Sequence, residues 1–343
     1  MAISNELQAL LNKNFGQDVK VSKVSPDLRG KVIVLYGGNN LGKTLQASRF
    51  KNPIFMPVEK GLNATNGAIT LKTSNWNDLK KNGKKLAGKD FVNLLKTGEQ
   101  ISVIIDGIER IGTYCQNYLC SKYEVDDIGK ANGGFGCWKE YDSLVWSWVD
   151  NIISLGYTVV FIGHEKLDKK KDKFIIDGDE RNIKPIRDNA DIVCYLQSNG
   201  TDEKGKVIPS SAYLAETEDY FARTRFTYMD TYIEEFSAEN LESAIVEGIK
   251  KQNKAEGYEN VTFEEQQEIY EKEDITLDEV KGEIKELFDK FDEKDLLNDY
   301  GQIVGTHLGE DKTVSEATEK QMEALLSIRD DLEAKLEEID DDF

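Results

Sequence analysis

The strongest constraint on this chain is a short run, Gly37-Gly-Asn-Asn-Leu-Gly-Lys-Thr44, placed directly after the apolar stretch Val32-Ile-Val-Leu-Tyr36. It fits G-x-x-x-x-G-K-[ST] between a strand and a helical segment, the context in which that spacing has physical meaning. Glycine at 37 and 42 lets the backbone curl so that successive N–H groups point inward, and the start of the next helix adds partial positive charge. The resulting cradle suits a polyanionic phosphate. Gly37, Gly38, Asn39, Asn40, Leu41, Gly42, Lys43 and Thr44 are the expected binding set, with Lys43 reaching the outer phosphates and Thr44 offering a hydroxyl to Mg²⁺. ATP with Mg²⁺ is the expected ligand.

Such a loop emerges from a sheet, and the sheet is visible as a series of short apolar, β-branched runs. Val32 to Tyr36, Ile54 to Val58, Ile101 to Ile105, Tyr157 to Ile162 and Ile192 to Leu196 alternate with helical stretches near 43 to 50, 107 to 120 and 139 to 155. Continuous apolar runs separated by helices predict an α/β fold, with a mostly parallel sheet flanked by helices. Ala212 to Ala215 and Phe221 to Phe226 predict an antiparallel extension. Beyond about 237 the strand signal ends and acidic amphipathic helices take over. Leu277, Val280, Ile284, Leu287, Phe288 and Phe291 share one stripe, and Met322, Leu325, Leu332, Leu336 and Ile339 another. The expected organisation is a body over 1–250 and an acidic helical region over 251–343.

Charge follows the same division. The chain has 343 residues and a net charge of -20. Residues 1 to 255 hold 34 acids against 35 bases, whereas residues 256 to 343 hold 30 against 9. The body is thus close to neutral, and the global acidity says nothing against an anionic partner for it. No apolar run approaches the roughly 20 residues of a membrane-spanning helix, and the first residues lack a secretory pattern, so no membrane and a cytoplasmic location are expected. Cys115, Cys120, Cys137 and Cys194 form no C-x-x-C pair and read as reduced thiols.

A phosphate cradle that binds Mg²⁺ needs a hard oxygen ligand nearby. Asp106, at the tip of Ile101-Ser-Val-Ile-Ile-Asp106, supplies one, the alternative being an ordinary helix N-cap. Hydrolysis further needs a group to activate water. Glu59 in Pro57-Val-Glu-Lys-Gly61 ends the second strand, on the side of an open sheet where strand tips share a crevice. Its alternative is a solvated loop carboxylate. His164, in Val159-Val-Phe-Ile-Gly-His-Glu165, stands past the fourth strand tip, where it senses a γ-phosphate or serves only the fold.

In this order, with Arg223-Thr-Arg225 on a late strand, the residues resemble the RecA-type recombinase core among AAA-type P-loop NTPases. More closely, they resemble the phage-encoded Sak-type ATPases, RecA-like single-strand annealing proteins, through Gly129-Lys-Ala-Asn-Gly-Gly-Phe-Gly-Cys-Trp138, Gly163-His-Glu165 and Lys184-Pro-Ile-Arg-Asp-Asn-Ala-Asp191. The resemblance covers roughly residues 25 to 250. It implies a RecA-like fold, Glu59 as catalytic glutamate, and His164 where RecA-type proteins carry a glutamine linking γ-phosphate to DNA. It also implies Arg223 and Arg225 as a basic pair completing a neighbour's site, hence self-association into a ring or filament. A phage-infected bacterial cytoplasm is the implied setting.

Two segments are candidate contacts to single-stranded DNA. The glycine-rich loop carries Lys130, Phe135 and Trp138, aromatic faces suited to stacking on bases. Lys169, Lys170, Lys171 and Lys173 follow the His164 strand and suit phosphate neutralisation. The C-terminal Glu337-Glu-Ile-Asp-Asp-Asp-Phe343 is similar to the acidic tips of single-stranded DNA-binding proteins, which implies a replisome partner or a single-stranded DNA-binding protein engaged through Phe343. The sequence therefore reads as an ATP-hydrolysing, phage-type recombination protein that binds single-stranded DNA and promotes annealing or strand exchange. The alternative is a replication accessory or helicase-loading ATPase that recruits a partner through its acidic end.

Overall fold

In the computed structural model, residues 4–15, 19–270, 275–309 and 312–341 are described. The strands are β1 (Val32–Gly37), β2 (Pro53–Pro57), β3 (Ile69–Thr70), β4 (Ser102–Asp106), β5 (Thr158–Asp168), β6 (Lys173–Ile176), β7 (Ile192–Gln197), β8 (Ser211–Tyr213), β9 (Arg223–Thr224) and β10 (Tyr232–Ile233). They form one ten-stranded sheet ordered β10-β8-β7-β1-β5-β4-β2-β3, with β6 on β5 and β9 on β7. β1 pairs in parallel with β5 and β7, and β4 in parallel with β5 and β2. The two late apolar runs do form the antiparallel extension, β8 and β9 each pairing with β7 rather than with each other.

Helices cover both faces because the central strands are apolar on both. Val32, Val34 and Tyr36 of β1 join one core, and Ile33 and Leu35 the other. Packed on the first face are α3 (Trp76–Leu86), α5 (Glu109–Tyr123), α7 (Trp138–Ile153) and α8 (Glu180–Asn189). The second takes α2 (Lys43–Ala47) and α9 (Ala238–Glu256). The remaining helices of the body are α1 (Asn5–Phe15), α4 (Lys89–Lys96), the short α6 (Ala131–Gly134) and α10 (Phe263–Gln267). Together these make a three-layer α/β/α body, the fold class expected from the sequence. Its four cysteines are free thiols.

The chain divides into two compact units, Met1–Ile269 and Tyr270–Phe343. The boundary lies beyond the position 250 expected from the sequence, because residues 257–269 are tied to the body. Phe263 lies under the Arg29 guanidinium at 4.9 Å, and Gln266 accepts from the Ser25 N–H at 2.7 Å and from Lys31 Nζ at 3.2 Å. The second unit contains α11 (Leu277–Glu293), α12 (Leu297–Leu308) and α13 (Met322–Asp341). Val280, Ile284, Leu287 and Phe291 bury against Val304, Leu308, Leu325, Ile328, Leu332 and Leu336. The two acidic stripes thus share a core of their own, a small helical bundle. Phe343 lies outside the described residues. Among the described residues, no helix is long and apolar enough to cross a membrane.

Candidate nucleotide site

Strand order decides which side chains can meet. β5 lies between β1 and β4, and the register pairs Gly37 with His164 and Asp106 with Ile162, while Pro57 pairs with Asp106 on β2. The C-terminal tips of β1, β5, β4 and β2 therefore bring the phosphate loop, His164, Asp106 and Glu59 into one crevice. They line a cavity of about 310 Å³ with Gly61 and Thr65.

The loop adopts the curled backbone that its sequence requires. Asn40 and Gly42 are left-handed, at φ 62° and 79°. At Gly37 a Cβ would lie 2.5 Å from the Leu196 carbonyl oxygen, so only glycine permits the β1 tip to pass β7. α2 is shorter than the helix expected to residue 50, ending at Ala47 with Ser48 as its C-cap. Lys43 is buried, and its Nζ donates to the Gly37 carbonyl at 2.9 Å and to that of Gly38. Burial lowers its pKa, and the carboxylates around it, Asp106 first, act in the opposite sense. An ammonium group satisfied only by two weak carbonyl acceptors can exchange them for phosphate oxygens.

Thr44 Oγ1 donates to Asp106 Oδ2 at 2.8 Å. Asp106 is 1% exposed, and burial raises its pKa to about 6 against the opposing Thr44 hydrogen bond. Hydroxyl and carboxylate lie side by side, the hard oxygen pair that Mg²⁺ takes alongside phosphate. Space for the ion is kept by Gly61. A Cβ there would stand 2.8 Å from Asp106 Oδ2 and 3.6 Å from Thr44 Oγ1. The residues present therefore fit a magnesium site. Gly61→Ala should keep the fold, since nothing in its backbone demands glycine, while raising the Mg²⁺ concentration needed for half-maximal turnover by about tenfold, or 1.4 kcal/mol. Turnover titrated against MgCl₂ checks this, and an unchanged midpoint would remove the cradle.

Glu59 is half-buried beside this pair. Its N–H and that of Val58 both donate to the Asp106 carbonyl, at 3.3 and 2.9 Å, which fixes the β2 tip on the β4 tip. Gly107, at φ 93°, makes the approach possible, since a Cβ there would meet Glu59 Cγ at 2.6 Å. His164 is held by a residue that sequence reasoning missed. Glu109, in the first turn of α5, accepts from the His164 backbone N–H and lies 3.2 Å from its Nδ1. One polar atom each of Glu59, Glu109 and His164 falls within 4.8 Å of the others. Glu165 was likewise unassigned. Its Oε1 faces the Gly38 backbone, and its Oε2 is buried without a hydrogen-bond partner by distance and angle among the described residues.

The other expected site residues fall elsewhere. Arg223 Nη2 donates to the carbonyls of Arg187, Asp188 and Ala190 at 3.1, 2.9 and 2.8 Å, satisfying the open C-terminal end of α8. Arg225 donates to the Asp188 carbonyl and pairs with Asp191 at 3.3 Å, with 51% of its side chain exposed. In the glycine-rich loop Asn132, Gly133, Gly134 and Gly136 are all left-handed, and Phe135 is 92% exposed. Trp138 carries the Arg181 guanidinium 5.2 Å from its ring centroid, and Lys130 reaches Asp126 at 4.0 Å. Lys169, Lys170 and Lys171 sit exposed on the β5–β6 turn, whereas Lys173 is paired with Glu216.

Residues 29–226, more than half of the chain, match the AAA domain. The chain belongs to the AAA-domain family. This AAA-domain protein is 44% identical over 320 residues to the SPbeta prophage-derived uncharacterized protein YorG of Bacillus subtilis (strain 168), covering 93% of this chain and 98% of that one. It is similar at 12% identity to a prototypical ATPase from the type III secretion system of pathogenic bacteria (TM-score 0.36, 88% of this chain and 80% of that one). A KaiC-like protein, PH0186 of Pyrococcus horikoshii OT3, is similar at 12% (TM-score 0.31, 55% and 80%). At such TM-scores neither likeness bears on the fold, which rests on strand order and register. Family and site together make the chain a nucleotide-binding ATPase.

Proposed function

We propose that the protein is a Mg²⁺-dependent, DNA-stimulated ATPase of the Sak-type, RecA-like kind, which binds single-stranded DNA and promotes annealing or strand exchange. The observation that carries this reading is the continuity of β5. One strand of eleven residues runs from Thr158 in the central sheet through His164, level with the phosphate loop, to Asp168 at the lysine turn. A shift of His164 on meeting a γ-phosphate is transmitted along that strand to Lys169, Lys170 and Lys171. The prophage origin of YorG accords with a phage role.

In this mechanism Lys43 leaves the Gly37 and Gly38 carbonyls for the outer phosphates. Thr44 and Asp106 would hold Mg²⁺, which would supply neutralisation of the phosphate charge. Glu59 accepts a proton from the attacking water, and His164 donates from its free ring nitrogen to the γ-phosphate. Arg223 is engaged in closing α8, so the half-exposed Arg225 is the member of the pair with surface left for a neighbouring subunit in a ring or filament. Phe135 and Trp138 offer rings to unpaired bases.

The test is turnover with and without single-stranded DNA. Replacing Lys169, Lys170 and Lys171 together by glutamate should leave basal turnover within about twofold. It should also remove the DNA stimulation. Three phosphate contacts per protomer correspond to a log–log salt slope of about -2 for wild-type binding. Stimulation that survives the triple change would refute the hairpin as the DNA contact. Absence of any stimulation in the wild type, with partner capture depending on residues 270–343, would instead favour the accessory or helicase-loading reading, for which the separately cored acidic unit is the supporting observation.

A further inference from the structure

Glu109 has no part in the reading above, yet its side chain is held against His164 beside the crevice. It sits in the first turn of α5, three residues past Asp106, and its side chain is 15% exposed. Its Oε1 takes both the backbone N–H and the ring Nδ1 side of one residue, His164. Its Oε2 is buried with no hydrogen-bond partner among the described residues. Glu109 and Glu59 are both half-buried, but Glu59 and His164 line the cavity and Glu109 is not among the residues lining it, standing instead behind the histidine.

The backbone around the pair is shaped for this contact. Gly163 precedes the histidine, and a Cβ there would meet Ile108 at 3.0 Å and Glu109 Oε1 at 3.3 Å. His164 also marks the point where β5 changes partners. Up to that residue it pairs in parallel with β1, and from Glu165 onward it pairs antiparallel with β6. Directions of ionisation agree from both sides. The Glu109 hydrogen bond raises the pKa of His164. Burial would raise that of Glu109, but the bonds from His164 outweigh it and the net shift is downward.

We propose that Glu109 is a positioning residue for ATP turnover: it anchors His164 by main chain and ring Nδ1 together, orienting the other ring nitrogen toward the γ-phosphate at the hinge of β5. The proposal rests on the reading of His164 as the γ-phosphate contact. Holding Nδ1–H on a carboxylate fixes both the tautomer and the plane of the ring, so the nitrogen that remains points in one direction only. Without it the ring turns freely, and the contact forms in a fraction of encounters. Glu109 acts entirely through His164, and this distinguishes it from a residue that merely supports the fold.

A double-mutant cycle on the full-length protein tests the inference. Glu109→Gln keeps an acceptor oxygen for the backbone N–H but weakens the grip on the ring. It should lower kcat about tenfold with KM for ATP changed less than threefold, and with the melting temperature unchanged. Glu109→Asp, which keeps the charge at a shorter reach, should recover part of that loss. In a His164→Ala background, itself reduced in kcat, Glu109→Gln should cost less than twofold further. An equal tenfold loss with and without the histidine would overturn the proposal and make Glu109 an independent or purely structural group. Unchanged turnover in His164→Ala alone would overturn it as well, by removing the γ-phosphate role on which it rests. An effect of His164→Ala with none from Glu109→Gln would overturn the positioning role only.

Discussion

Lys43→Ala is expected to cut ATP turnover by about 10²–10³-fold, while the melting temperature moves little. The loss follows from where the ammonium group sits. It is buried against the Gly37 and Gly38 carbonyls, inside the curl of backbone of the phosphate loop. Among the described residues, no other lysine or arginine lines the cavity. Charge that develops on the transferring phosphoryl group would then be left to backbone amides and the metal, and losing one such preorganised donor costs about 3–4 kcal/mol in the transition state. Stability responds differently, because two effects oppose each other. Alanine leaves two loop carbonyls without a donor, but it also removes a cation that burial disfavours. The net change should stay within about 1–2 kcal/mol. Steady-state hydrolysis with excess Mg²⁺, alongside a melting curve, checks both halves. Turnover equal to wild type would mean that hydrolysis occurs elsewhere on the chain.

The contrast between Lys43 and Glu109 shows what the sequence can and cannot reveal. The phosphate loop was legible because its function depends on local spacing, and the five central strands because burial on both faces forces uninterrupted apolar runs. Asp106, Glu59 and His164 were singled out by the same logic, as polar residues at the ends of such runs, and they line one crevice. Glu109 follows Asp106-Gly-Ile, where an acid in the first turn of a helix reads simply as a favourable charge near the helix N-terminus. Only strand order, with β5 inserted between β1 and β4, reveals that it meets His164, 55 residues away. The available hint was the pairing of Asp106-Gly-Ile-Glu109 with Gly163-His164, two glycines each next to a polar group. Short strands escaped for another reason. β3 and β10 have two residues each, too few to show alternation, and β6 has four, the first of them the last lysine of a run that reads as a solvated turn. The boundary at 250 was placed where the strand signal gives way to acidic helices, but Phe263 and Gln266 attach an acidic segment to the body through one ring and one amide, contacts that neither pattern nor charge registers.

Asp106→Asn should make the Mg²⁺-free protein more stable at neutral pH while removing its activity. The Asp106 carboxyl has its pKa raised by burial to about 6, above the ordinary 3.8. A raised carboxyl pKa means that the folded state binds the proton more tightly than the unfolded chain. The group's stabilising contribution is therefore complete below about pH 4 and is lost as pH rises through 6. Above that, the buried charge costs on the order of 2–3 kcal/mol, which asparagine does not incur while its oxygen still accepts from Thr44. Melting curves in EDTA should show wild type and variant together near pH 4. They should separate between pH 4 and 6, with the variant higher by about 2–4 °C for each kcal/mol relieved. Adding Mg²⁺ and ATP should reverse the order, since only the carboxylate repays its burial by holding the ion, and ligand binding to the folded state alone stabilises it. An asparagine variant less stable than wild type at pH 7 in EDTA would show that the Asp106–Thr44 pair holds the crevice together for the fold. A more stable one that fails to hydrolyse ATP would mark a site kept charged, against the preference of its surroundings, for the cation it receives.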